Sequence, residues 1–259
     1  MEILQSRHNP LIKTVAKLST QRRERLKQGL MVLDGPHLIA AALDAGWHLE
    51  RLLLAESAQH RAELQGLLRR HGQPAQLLAD ALFAELSELE SISGILALCA
   101  MPTAVDVRKD GLVLALDGVQ DPGNLGAILR TAAAAGVDQV WLGMGCADPW
   151  SPKVLRAGMG AQFVLPMVDR VPLLAAASAF SGIKAVTSLE GSVSLYQADL
   201  RGDLLLVMGS EGQGVSSELQ ALASLRLRIP MTPGIESLNV GAATAICLYE
   251  RVRQAGLGH

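Results

Sequence analysis

Two apolar runs constrain this chain more than anything else in it: "LVLALDGV" from Leu112 to Val119 and "LLLVMG" from Leu204 to Gly209. A strand wetted on one face alternates apolar and polar residues. A strand that is apolar at successive positions must be covered on both faces, which places it inside a parallel sheet with helices above and below. The surrounding sequence supplies those helices. "NLGAILRTAAAAG" follows the first run, then a strand "QVWLG", strand candidates "IKAVTS" and "LRLRIP", a helix "SSELQALA", and a closing helix "LNVGAATAICLYERVRQAG". The expected class is α/β with a mostly parallel sheet.

The first hundred residues alternate in a similar way on a smaller scale. "NPLIKTVAKLSTQRRERLKQG" predicts one helix, with Asn9 as cap, Pro10 at its first position and Gly29 past its end. "LMVLDG", "LERLLLA", "QPAQLLA" and "GILALCA" read as strands, separated by helices "PHLIAAALDAG", "QHRAELQGLLRRHG" and "DALFAELSE". "MPTAVDVRKDG" is polar with Pro102 near its start, and reads as a linker. The expected division is a small α/β domain over residues 1–101, a linker over 102–111 and a larger domain over 112–259.

Charge is uneven along the chain. Residues 1–30 carry Arg7, Lys13, Lys17, Arg22, Arg23, Arg25 and Lys27 against Glu2 and Glu24, a balance of +5. The net charge is −2, so the rest of the chain stands at −7. A basic segment on an acidic whole marks either a polyanion-contacting arm or a solvated helix face. Aromatic residues are 3% of the chain, too few for a base-stacking platform. Cys99, Cys146 and Cys247 lie far apart, with no metal-binding spacing. The polar start "MEILQSRHNP" has no apolar signal-peptide core, and no apolar run approaches the ~20 residues of a membrane span. These features lead to the expectation of a cytoplasmic protein without metal or membrane.

Open α/β sheets bind ligands beyond the carboxyl ends of their strands. Three such ends carry unusual residues. In "LDGVQDPGNLGAILRTA", Asn124 stands at a helix start and Arg130 six residues on. Taken alone, these are an N-cap and a surface cation. In "LLLVMGSEGQGVS", Gly209, Gly212 and Gly214 flank Glu211 as G-x-x-G-x-G, which is not a dinucleotide fingerprint. In "IPMTPGIESLNVGAAT", a Pro233–Gly234 turn leads through Glu236 to Ser237 and Asn239. Ser237 is expected to cap the last helix. Asn239 would then occupy the first turn, where its propensity is poor.

Taken together, in this order and spacing, "DPGNLGAILRTAAAAG", "MGSEGQG" and "IPMTPGIESLNVGAATAICLYE" resemble the SpoU/TrmH family of RNA ribose 2′-O-methyltransferases, in the SPOUT class. The resemblance spans residues 112–254, and "VLDGPHLIAAALDAG" is similar to the family's L30e-like RNA-recognition domain. It implies a SPOUT domain with a deep trefoil knot, a homodimer, and S-adenosylmethionine held by main-chain groups of Gly209, Ile229 and Leu238. It implies Arg130 as the catalytic arginine, clamping an RNA phosphate and polarising the hydroxyl. Asn124, Glu211, Ser237 and Asn239 carry over as its companions in the site. Arg130 of one subunit would serve the other subunit's cofactor. Ala135 and Gly241 depart from the family pattern, which often has a bulkier residue and Ser there; neither is a proposed catalytic group.

Ribosomal RNA is the expected substrate in preference to transfer RNA, on the resemblance of the first domain. A base methyltransferase of the same class would enlist an acidic base near its target, and the Asn124/Arg130 pair argues for ribose instead. An RNA-binding protein that has lost catalysis would be expected to lack Arg130 or Asn239, and both are present. A dinucleotide oxidoreductase would need G-x-G-x-x-G after its first strand, which "DGVQDPGNLG" does not supply.

Overall fold

The computed structural model describes residues 3–87, 93–188, 191–235 and 237–256. Glu236 lies outside them. By its contacts the chain divides into two units. The first comprises Met1–Thr103 together with Trp150–Phe163, and the second comprises Ala104–Pro149 with Val164–His259.

The first unit opens with strand β1 (Ile3–Leu4), helices α1 (Pro10–Thr20) and α2 (Arg22–Gln28), and strand β2 (Leu30–Asp34). Then come α3 (Pro36–Asp44), β3 (Leu49–Ala55), α4 (Ala62–His71), β4 (Gln76–Leu78), α5 (Asp80–Leu86) and β5 (Ile95–Ala100). The sheet order is β1-β4-β3-β5-β2, with β5 antiparallel to both its neighbours and β4 parallel to both of its own.

The single N-terminal helix expected from sequence is two. Gln21 is extended, at φ −120° and ψ 108°, and breaks it. Arg25 explains the break: its buried guanidinium reaches back to the carbonyls of Leu18 and Ser19 and satisfies the end of α1. One of the seven N-terminal cations is thus committed to the fold.

Helix α7 (Pro152–Gly158) also belongs to the first unit. Ser151 is its N-cap and Pro152 its first residue, a start signal that the sequence reading passed over. Trp150 and Phe163 flank the segment and both pack on Trp47, with ring centroids 5.9 and 5.1 Å away. The Trp47 indole donates to the Phe163 carbonyl at 2.9 Å.

The second unit holds β6 (Leu112–Asp117), α6 (Pro122–Ala134), β7 (Gln139–Gly143), β8 (Met167–Val171), α8 (Leu173–Ala179) and β9 (Ile183–Thr187). It continues with β10 (Val193–Ser194), β11 (Leu204–Gly209), α9 (Ser217–Leu222), β12 (Leu225–Arg228) and α10 (Val240–Ala255). Its seven strands run in the order β10-β12-β9-β11-β6-β7-β8, and every pairing is parallel. The two apolar runs, β6 and β11, lie side by side near the middle, buried except at Asp117, the partly covered end of β6. On β7, the neighbour of β6, Trp141 is fully buried and meets Phe180 edge-on at 6.2 Å. Its indole N–H donates to buried Gln139 at 2.7 Å, so the ring is covered without an orphaned donor.

Among the described residues no helix is long and apolar enough to cross a membrane, and no group of three or more His, Cys, Asp or Glu side chains is placed to hold a metal ion.

Candidate functional site

Strands β9, β11 and β12 are neighbours, and their carboxyl ends open into one cavity of about 490 Å³. That size falls within the roughly 300–1,000 Å³ of pockets that hold small organic ligands. Thr187 and Ser188 line it from the end of β9, Met208 and Gly209 from β11, and Leu227 to Ile229 from β12. Glu211 and Gly212 come from the loop after β11, and Ser237, Leu238 and Val240 from the approach to α10. Gly209 and Glu211 from one stretch of sequence, and Ile229, Ser237 and Leu238 from another, therefore share one cavity. Thr187 and Ser188 were missed. "IKAVTS" marked a strand, and the rule that ligands sit past strand ends would have found them had the position of β9 beside β11 been known.

The loop after β11 folds back tightly. Ser210 and Gly214 exchange two backbone hydrogen bonds, at 3.2 and 3.0 Å, and Gly214 has φ +68°. Gly209 must be glycine for this return: a Cβ there would lie 1.9 Å from the Gly214 carbonyl carbon. Gly212 is under no such pressure, with open space where its Cβ would be and no positive φ.

Asn124 is not the cap of α6. Asp121 is, accepting from the Asn124 backbone N–H at 2.7 Å, with Pro122 at the first helical position. The Asn124 side chain is therefore free for other work. It donates through Nδ2 to Glu211 Oε1 at 2.7 Å, and its Oδ1 accepts from Asn239 Nδ2 at 2.9 Å.

The assignment of caps at α10 is also reversed. Ser237 was expected to cap this helix and Asn239 to sit inside it. Asn239 is the cap: its Oδ1 accepts from Gly241 N at 2.9 Å and Ala242 N at 3.2 Å. The helix begins two residues later than expected because the irregular loop runs on through Leu238. Asn239 thus carries two duties. Its oxygen satisfies the helix and its nitrogen reaches Asn124.

Arg130 stands apart. It is exposed on α6, six residues beyond Asn124, which is about 9 Å along the axis and two-thirds of the way round the helix. It does not line the cavity and makes no hydrogen bond or ion pair with a described residue.

The thiols are poor candidates for chemistry. Burial pushes those of Cys99 and Cys247 up to about 12 and raises that of Cys146, so all three stay protonated at neutral pH.

This arrangement can enclose a small ligand between largely apolar walls, and can present amides and a carboxylate at its edge. The comparisons agree with that reading. The 23S rRNA (guanosine(2553)-2′-O)-methyltransferase RlmP of Bacillus subtilis is 34% identical over 253 residues, covering 96% of this chain and 98% of its own. A tRNA/rRNA methyltransferase of Synechocystis, itself uncharacterised, is 34% identical over 257 residues, with 96% and 93% covered. The SpoU methyltransferase AviRb of Streptomyces viridochromogenes, solved in complex with AdoMet, superposes with a TM-score of 0.85 at 28% identity, covering 97% of this chain and all of that one. Residues 9–97 match the MRM3-like substrate binding domain. Residues 111–249, which hold all three loops, match the SpoU rRNA Methylase family, and the chain belongs to that family.

Proposed function

We propose that this protein is an S-adenosylmethionine-dependent methyltransferase that modifies a ribose 2′-hydroxyl in ribosomal RNA. The observation that carries the reading is the hydrogen-bonded line Asn239–Asn124–Glu211 at the edge of the cavity formed by β9, β11 and β12.

The cavity suits the cofactor. Met208, Leu227 and Val240 are buried apolar walls for an adenine ring, and Ile229, Met231 and Leu238 continue them. Main-chain groups of Gly209, Ile229 and Leu238 are the proposed contacts. S-adenosylmethionine, when bound, supplies an electrophilic methyl group on a sulfonium. The residues of the chain then position the hydroxyl, since an unactivated alcohol reacts only when held close and aligned. Asn124, Glu211, Ser237 and Asn239 are the proposed site-shaping groups. Arg130 is the proposed cation on the RNA phosphate. A guanidinium stays protonated, so its part is to clamp and polarise.

We further propose that the protein works as a homodimer, with Arg130 delivered by the second subunit. Its exposure on α6 and its absence from the lining of its own chain's cavity support this. So do the small and aromatic residues left exposed on the packed pair α6 and α10: Ala127, Ala134, Ala242 and Tyr249. The first unit is the proposed RNA-recognition module, L30e-like in kind, and the segment through Ile229 and Leu238 is proposed to be threaded as a deep trefoil knot. A cytoplasmic setting fits the free, buried thiols.

The test is transfer of labelled methyl groups from S-adenosylmethionine to ribosomal and transfer RNA, followed by alkaline hydrolysis. A 2′-O-methyl group blocks cleavage at its own nucleotide. Label in alkali-resistant dinucleotides of ribosomal RNA is expected, and label released as methylated mononucleotides would mean base methylation.

A further inference from the structure

The loop that carries Glu211 is shaped from within by the paired bonds of Ser210 and Gly214 and by Gln213 N donating to Ser210 Oγ at 3.3 Å. None of these bonds fixes where the loop points. Gln220 Nε2 donates to the Val215 carbonyl at 2.7 Å, but Gln220 lies on α9, which follows the loop directly. The tie to the sheet comes from Asp117, whose Oδ2 accepts from the Ser216 backbone N–H at 2.9 Å. Asp117 is the last residue of β6 and pairs in register with Gly209, where the loop departs. Its carboxylate therefore spans the departing and returning ends of the loop. At the far end, Glu211 is held by Asn124. The short connection from Asp117 to Asn124 thus grips the loop twice, at its base and at its tip. Asp117 is absent from the lining of the cavity.

We infer that Asp117 is a positioning residue for methyl transfer, acting through the Ser216 N–H to hold Glu211 against Asn124. The inference rests on the function proposed above. Losing a charge-assisted hydrogen bond frees the loop without removing any group that touches a ligand.

The experiment compares the full chain with Asp117→Ala, Asp117→Asn and Ser216→Pro, in amide hydrogen exchange over residues 210–216 and in methyl transfer. Asparagine keeps an acceptor oxygen in place. Proline removes the donor from the other side and suits the Ser216 φ of −57°. Asp117→Ala and Ser216→Pro should each speed exchange in the loop by roughly tenfold or more and lower kcat by a similar factor, with KM for RNA unchanged. Asp117→Asn should stay within about threefold of the parent on both measures. In a Glu211→Ala background, Asp117→Ala should cost nothing further in kcat. Equal damage from Asn and Ala, parent-like exchange in Asp117→Ala, or full additivity with Glu211→Ala would overturn the inference. A parent protein that transfers no methyl group at all would overturn the proposed function instead, and the exchange data would still decide whether Asp117 holds the loop.

Discussion

Asn239 donates its side-chain amide to the Asn124 oxygen across 2.9 Å, and the direction of that bond is set from both ends. The Asn239 oxygen is taken by two helix N–H groups, so only its nitrogen faces Asn124. Asn124 then presents its own nitrogen to Glu211, whose carboxylate accepts. A helix terminus and a carboxylate together orient two amides that would otherwise be free to flip.

Substitutions at Asn239 separate its two duties. Asn239→Asp keeps an oxygen for the helix but has no amide to give Asn124, so the melting temperature should hold while methyl transfer falls. Asn239→Ala loses the cap as well, at about 1 kcal/mol, or roughly 2–4 °C in a chain of this size. Ser237→Ala should leave the melting temperature unchanged, since Ser237 caps nothing. Paired melts and rates check all three; a parent-like rate in Asn239→Asp would remove the amide line from the mechanism.

Arg130→Ala and Arg130→Lys should both abolish methyl transfer without lowering the melting temperature. The side chain is exposed and bonds to no described residue, and lysine lacks the planar fork that grips a phosphate. If the arginine serves the opposite subunit, mixing inactive Arg130→Ala with inactive Glu211→Ala should restore activity, because each mixed dimer has one complete site. No recovery after subunit exchange would place Arg130 in the same chain as its cavity.

Gly209→Ala should damage fold and cofactor binding together, because its methyl would overlap the Gly214 backbone. A cost of about 1–3 kcal/mol is expected where overpacking forces the main chain to shift. Gly212→Ala should fold as well as the parent, since its Cβ enters open space. Calorimetric titration with S-adenosylmethionine and thermal melts distinguish the two. Equal tolerance at both positions would contradict the tight return of the loop.

Acid should weaken α10 through Glu250. The Arg253 guanidinium bonded to it, helped by Gln254, holds the buried Glu250 carboxyl down at about 2 against an ordinary 4.5. Between those values the unfolded chain binds a proton that the folded chain does not, so stability is present above pH 4.5 and drains away as the pH falls towards 2. Gln254 also ties the helix to Ala198 and Leu200. Glu250→Gln should flatten this part of the stability–pH curve, and denaturant melts between pH 5 and pH 2.5 would show whether it does.

Strong patterns were legible in sequence and weak ones were not. "LERLLLA" and "QVWLG" coincide with β3 and β7 to the residue, because each is a short run with an apolar centre, bounded by turn or polar residues. The stretch from Met144 to Ser181 was blank. There β8 is a half-buried edge strand interrupted by Arg170 at φ 57°, and α7 and α8 are seven residues each, too short to show a period. In the site, the loop residues stood out singly, but the gathering of β9, β11 and β12 is a matter of sheet order. Local sequence does not encode that order. The choice between Ser237 and Asn239 as cap turned on where the preceding loop ended, a tertiary question that propensity cannot answer.

The membership of Trp150–Phe163 in the first unit has a consequence for synthesis. A chain emerging from the ribosome folds its leading domain first when that domain is contiguous. Here Trp47 must wait for Trp150 and Phe163, more than a hundred residues behind it, by which time β6 and β7 have already emerged. The leading unit therefore completes its core only after the Ala104–Pro149 segment of the trailing one has been made, and a nascent chain halted before Trp150 should display an open aromatic face to chaperones.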